Sequence, residues 1–243
     1  MIKCISFDFD RTLSFVSPLT HYLIPELLAQ KGYKVSVEDF VENTIQLRKN
    51  LPINLKQNFD NFGTFSKKER EQFIVEYNKA RIDMLKLAGD SQEISCLKDW
   101  LVEQQLTTQK KILYDDVVPT IKKLKKQKYK LYVLSGNHSD GIIELLDEAK
   151  ILQFFEGIIT VDKYHTSKTD NFKILLKNTG LEPEEILHIG DDLHTDGLGA
   201  KKFNINVILI RRPQQIVFNK DDLHGFTVIS QFSEIFSHLK NQT

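Results

Sequence analysis

Two carboxylates one residue apart, directly after a short apolar run, are the feature of this 243-residue chain best suited to chemistry. The run Ile2-Lys3-Cys4-Ile5-Ser6-Phe7 reads as a buried strand, and Asp8 and Asp10 follow it in Phe7-Asp8-Phe9-Asp10-Arg11-Thr12-Leu13. In extended backbone, residues two apart point the same way. The pair could therefore face one substrate from the carboxyl end of a strand, the edge where open parallel sheets place their ligands. Solvated or capping carboxylates would give the same pattern. Three further segments share this placement. Ser135-Gly136-Asn137 offers a hydroxyl and a glycine amide that can donate to phosphate oxygens ahead of a helix, although Ser, Gly and Asn also build ordinary turns. Lys168, in Ser167-Lys168-Thr169-Asp170, offers a compact positive charge to a phosphoryl group and a carboxylate nucleophile. Finally, Ile189-Gly190-Asp191-Asp192-Leu193-His194-Thr195-Asp196 offers oxygen ligands. Magnesium needs only a few carboxylates beside water and phosphate, so Asp191 with Asp8 would suffice and Asp192 and Asp196 would stand behind them. Acids favoured at a helix N-terminus are the plainer account of the same residues.

The elements that must position these residues alternate. Apolar runs at Tyr129 to Leu134, Gly157 to Val161, Ile186 to Ile189 and Asn206 to Ile210 read as strands. The stretches Val117 to Gln127, Asp140 to Ala149, Asn171 to Asn178 and Leu198 to Phe203 read as helices. Such alternation predicts an α/β fold, a mostly parallel sheet covered on both faces, with all four motifs at one edge. Between Ser14 and Gln109 the texture is strand-poor and helical, with apolar rows such as Leu23, Leu27, Leu28 and Phe73, Tyr77, Ala80, Met84. Pro25 is expected to open a helix there, Gly32 to close one, and Pro52 and Gly63 to mark breaks farther on. Phe226 to Ile229 could add a strand and Gln231 to Lys240 a last helix.

Composition narrows the function classes. Lys plus Arg and Asp plus Glu stand at 33 each, so no global field favours nucleic acid or an anionic membrane, and any phosphate site must be local. The lysines at 122, 123, 125 and 126 flank Leu124 and read as a solvated helix face. Cys4 and Cys96 form no paired metal-ligand spacing. The first residues lack a signal peptide's features, and no apolar run approaches a membrane span. A cytoplasmic protein is expected.

Taken in order, Asp8-Phe9-Asp10-Arg11-Thr12-Leu13, Ser135-Gly136-Asn137, Lys168 and Gly190-Asp191-Asp192 through Asp196 make the chain, from Ile2 to about Arg211, resemble the haloacid dehalogenase-like hydrolase superfamily. That resemblance implies a Rossmann-like core (1–13 and 110–243) and a smaller α-helical cap (14–109). It implies Asp8 as nucleophile, Asp10 as general acid and base, and Ser135, Gly136, Asn137 and Lys168 on the phosphoryl group. It further implies Mg²⁺ held by Asp8, Asp191 and the Asp10 carbonyl, with Asp192 and Asp196 behind them. The expected function is hydrolysis of a small phosphomonoester through an aspartyl-phosphate, by a monomer or homodimer that takes a phosphorylated metabolite and neither nucleic acid nor membrane.

Two positions depart from the family pattern: Arg11 replaces the usual glycine, and Thr169 follows Lys168 where proline is common, with Lys163 and Lys173 as outside alternatives to Lys168. Dehalogenases generally lack the Asp10 acid, which argues for phosphoryl transfer. A sugar-phosphate mutase would use a cap residue to assist a second phosphoryl transfer, for which His21 is the candidate because some mutases place a cap histidine at nearly this distance, although a surface helix histidine is the simpler expectation. A binding protein that keeps the fold without catalysis would not need the full set of reacting residues.

Overall fold

In the computed structural model, the structure describes residues 1–61, 64–164, 167–213, 215–216 and 223–240, and at 59–61 the backbone alone; the break expected at Gly63 lies outside the described residues. The chain runs through β1 (Cys4–Phe7), β2 (Ser14–Ser17), α1 (Thr20–Gln30), α2 (Val37–Lys49), α3 (Ile53–Asn61), α4 (Lys67–Asp83) and α5 (Ser91–Thr108). It continues through β3 (Lys110–Leu113), α6 (Val117–Lys126), β4 (Lys130–Ser135), α7 (Ser139–Glu148), β5 (Gly157–Thr160), α8 (Val161–Tyr164) and α9 (Asn171–Thr179). The remaining elements are β6 (Ile186–Gly190), a π-helical turn (Leu193–Leu198), α10 (Gly199–Lys201), β7 (Asn206–Ile210), β8 (Thr227–Ile229) and α11 (Ile235–Lys240).

Two compact units emerge. One comprises Met1–Phe15, Ile112–Gln215 and Asp221–Thr243, the other Val16–Lys111 and Ile216–Lys220. The first is built on a six-stranded sheet in the order β5-β4-β1-β6-β7-β8, parallel throughout. Because parallel strands need crossovers, helices cover both faces and the strands are apolar on both sides. Val117, Ile121, Ile142, Leu146 and Phe232 pack with Ile5, Phe7 and Val133 on one face. On the other, Phe172, Leu175 and Ala200 pack with Cys4, Leu134 and Ile186. The alternation of Ile5 and Phe7 against Cys4 along β1 is the period-2 pattern of a strand buried on both faces.

The second unit is a helical assembly. Leu23, Ile24, Leu27 and Leu28 of α1 meet Phe40 of α2, Ile82 of α4 and Leu97, Leu101 and Val102 of α5 in its core. Ser36 and Ser66 start α2 and α4 through capping boxes with Asp39 and Glu69, which satisfies otherwise orphaned N–H groups. Gly32 closes α1 at φ +84, in the left-handed region that glycine enters without cost, as expected.

Four expectations need correction. Pro25 lies inside α1, not at its start, at a point where the helix forgoes one backbone bond to the preceding turn. The strand-poor region is bounded by β2 and β3, which pair as a separate two-stranded sheet; four residues each are too short to register as periodicity. The helix expected at Leu198 to Phe203 is α10 preceded by the π-turn, because Asp192 starts the coil six residues earlier. The last helix is split into a 3-10 turn at Phe232–Glu234 and α11. Lys122, Lys123 and Lys126 are exposed around buried Leu124, as a solvated face requires.

Candidate active site

The register of the sheet brings the motifs to one edge. Phe7 lies opposite Val133 of β4 and Ile189 of β6, so the residues that follow each strand emerge at nearly the same level. Asp8 is the first residue beyond β1, its N–H bonded to the Ile189 carbonyl at 2.8 Å. Beyond it the chain turns tightly. Leu13 and Ser14 N–H groups both donate to the Phe9 carbonyl, and Arg11 N–H donates to Ser14. Asp10 and Arg11 thus sit at the tip of a fixed loop.

Lys168 joins the loops electrostatically. Its Nζ lies 2.8 Å from Asp8 Oδ1 and 2.7 Å from Asp196 Oδ1, with both carboxylates buried and the lysine side chain 14% exposed. Asp196, fully buried, is held further by His188 Nε2 at 3.0 Å and by the Asp192 N–H at 3.1 Å. Ser6 Oγ meets the other ring nitrogen of His188 at 2.9 Å, across the β1–β6 pair where these two residues are in register. Phe172 packs edge-on to that ring. The result is a continuous buried chain, Ser6 to His188 to Asp196 to Lys168 to Asp8.

Glycine is required at 190 for a steric reason. A Cβ there would stand 2.2 Å from Asp196 Cγ, so the carboxylate occupies the space a side chain would need. Asp192 turns away to cap the π-turn, accepting the N–H groups of His194 and Thr195 and the Thr195 hydroxyl. Asn137 Nδ2 donates a hydrogen bond to Asp10 Oδ2, and the Asn137 N–H donates to Ser135 Oγ at 3.1 Å. Gly136 lies against the aliphatic stem of Lys168. Lys173 pairs with Asp170 on the surface and Lys163 is exposed, so Lys168 is the lysine that joins these carboxylates.

Charge is in deficit at this edge. Burial pushes the Asp8 carboxyl well above the usual range; Lys168 opposes that shift while Asp196 and Asp191 add to it. Asp191 is pushed up to about 6, again chiefly by burial, against the pull of Arg11, whose Nε lies 3.1 Å away. Burial works against ionised Asp196 as well, but Lys168 and His188 outweigh it and its carboxyl falls below the ordinary range. Lys168 stays firmly protonated, since Asp196 and Asp8 more than offset its burial.

Asp8, Asp191 and Asp196 bring carboxylate oxygens within 4.8 Å of one another, a buried hard-oxygen set able to hold a metal ion. The oxygens of Asp196 are already engaged by Lys168, His188 and a backbone N–H, which leaves Asp8 and Asp191 as the better donors. Their raised proton affinity is the mark of a site short of positive charge, so the residues fit a divalent cation.

Sequence reasoning missed Ser6, His188 and Arg211, whose guanidinium donates to the Asp191 carbonyl. A polar residue within each of two otherwise apolar strands was the available signal for the first two. His21 departs from expectation: it is 7% exposed, packed in α1 of the helical unit beside the Tyr22 ring.

Comparison with known proteins agrees with this construction. The model of the haloacid dehalogenase-like hydrolases matches residues 2–204, and the chain belongs to that family of enzymes. Glyceraldehyde 3-phosphate phosphatase of Methanocaldococcus jannaschii is 23% identical over 252 residues, covering 99% of this chain and 98% of that protein. Enolase-phosphatase E1 of Culex quinquefasciatus is 25% identical over 126 residues, 51% of this chain, and the match spans 17% of that longer protein. The fold is shared with L-2-haloacid dehalogenase of Xanthobacter autotrophicus at a TM-score of 0.61, 16% identity and full coverage of both chains. Among the described residues no helix is long and apolar enough to cross a membrane.

Proposed function

We propose that this protein is a phosphomonoesterase that uses Asp8 as its nucleophile. The observation that carries the reading is the buried Asp8–Lys168–Asp196 array at the sheet edge, with a second carboxylate, Asp10, held by Asn137. An Asp8 oxygen attacks phosphorus and the bond to the leaving oxygen breaks, with Asp10 giving that oxygen its proton. Asp10, now ionised, takes a proton from water as the water attacks the acyl-phosphate and returns Asp8. Lys168, Ser135, the Gly136 amide and Asn137 bind the phosphoryl oxygens. A dianion and a carboxylate repel one another, and Lys168 offsets that repulsion in a site where water does not screen it.

Asp8, Asp191 and the Asp10 carbonyl would hold Mg²⁺, which when bound supplies further neutralisation of nucleophile and phosphoryl group. Asp196 keeps Lys168 in place, and Asp192 fixes the turn that presents Asp196. The helical unit, by its place in the chain after the first motif, is proposed as the family's cap, and the residue that would serve a mutase, His21, is buried. A small phosphorylated metabolite in the cytoplasm is the proposed substrate, in keeping with the relative named for glyceraldehyde 3-phosphate. The test is phosphate release from p-nitrophenyl phosphate with Mg²⁺ or with chelator, for the native chain and Asp8→Asn. Release that needs Mg²⁺ and disappears in Asp8→Asn is expected; equal release by the variant would remove Asp8 from the mechanism.

A further inference from the structure

Arg11 occupies a backbone conformation that favours glycine, φ +64, and there places a guanidinium where glycine would place nothing. Its backbone is anchored on both sides. The N–H donates to Ser14, and the carbonyl accepts from the Gln215 side-chain amide. Loop movement is therefore restrained, while the side chain is about a third exposed at 32%. In the conformation observed, Nε stands 3.1 Å from Asp191 Oδ2, and that carboxylate is only 8% exposed. Arg211 holds the backbone of the same residue, donating to the Asp191 carbonyl.

We propose that Arg11 is a built-in competitor for the divalent cation, occupying an Asp191 oxygen when the metal is absent and weakening its binding by charge repulsion when it is present. The inference rests on the proposed role of Asp8 and Asp191 as metal ligands. Two consequences distinguish it from a merely structural ion pair. Removing the positive charge at 11 tightens metal binding, and the metal then replaces the stabilisation that Arg11 gave. A structural ion pair would give the opposite, since its loss would loosen Asp191 and weaken the site.

Calorimetric titration of MgCl₂ and MnCl₂ into the full chain, at fixed ionic strength, reads the first consequence directly. Arg11→Gln and Arg11→Gly should bind about tenfold more tightly than the native chain, the size expected for one charge a few ångströms away in a partly screened site. Arg11→Lys, which keeps the charge, should stay near the native affinity. Melting the same proteins reads the second: Mg²⁺ should raise the melting temperature of Arg11→Gln by more than it raises that of the native chain. Equal or weaker binding by both uncharged variants overturns the inference alone. Absence of binding by every form, native included, overturns the metal assignment on which it rests.

Discussion

The two units solve the problem of buried charge in opposite ways. In the sheet unit, charge is paired with charge: Lys168 bridges Asp8 and Asp196, Arg11 meets Asp191, and Arg212 meets Asp116 at 2.7 Å. In the helical unit, Arg81 is 9% exposed, and among the described residues its guanidinium meets rings and neutral polar groups. It lies over the Phe40 and Tyr77 rings, with long contacts to Thr44 and Asn78, and burial lowers its proton affinity. Paired ions can exchange partners, which is what the proposed mechanism asks of the sheet unit when a phosphoryl group or a cation enters. A cation held by rings, a hydroxyl and an amide supports packing. This contrast supports the proposed assignment of the chemistry to the first unit, beyond the placement of its motifs.

The sharpest way to break the contrast is to take one ion from the paired array. Lys168→Met leaves Asp8 and Asp196 buried beside each other without their shared cation. A stability loss of about 3–5 kcal/mol in urea melts is expected, and turnover should fall by about 10²- to 10³-fold. If both stayed within twofold of native, the array would not be the organising feature of the site. Gly190→Ala comes next, since its methyl group would overlap Asp196 and push it off Lys168 and His188. A loss of about 1–3 kcal/mol is expected, together with reduced turnover, whereas a native melting curve would mean the loop gives way freely.

Smaller effects mark the helical unit and the sheet core. Burial, followed by the nearby Arg81 charge, holds His21 below its ordinary pKa, so it stays neutral in the fold after it has become charged in the unfolded chain. The stability that neutral His21 contributes is complete above the unfolded value of about 6.5 and is lost as pH falls below it. Between pH 7.5 and 5.5 the native chain should lose more melting temperature than His21→Gln; parallel curves would show that His21 does not titrate differently on folding. Smallest of all, Cys4 lies fully buried against the sheet with its thiol pushed up to about 12 by burial, while Cys96 is exposed. A thiol reagent at neutral pH should label Cys96 alone until denaturant is added, and fast labelling of Cys4 would indicate a loosely packed β1.

Legibility followed local signal strength. The alternation of apolar runs and helical stretches located the five main strands to within two residues, and the acids after β1 and β6 stood out because they interrupt apolar runs. Lys168 was identifiable only by its place among the strand ends, for nothing in its neighbours shows that it will bridge two carboxylates. His188 and Ser6 were opaque, since their meaning comes from a register between strands 182 positions apart. Arg11 was visible as a departure from pattern, but its partner was not, because Asp191 reaches it only through the fold. The burial of His21 depended on packing within the helical unit, which the apolar rows suggest without resolving which face each polar neighbour takes.

The central claim is that Asp8 makes a covalent bond to phosphorus. Acid quenching of the native chain during turnover of p-nitrophenyl phosphate with Mg²⁺, followed by peptide mass analysis, tests it most directly. A phosphoryl group on the peptide containing Asp8, absent from Asp8→Asn, is the expected result. Steady turnover with that peptide unmodified, or with the phosphoryl group on another residue, would contradict the account.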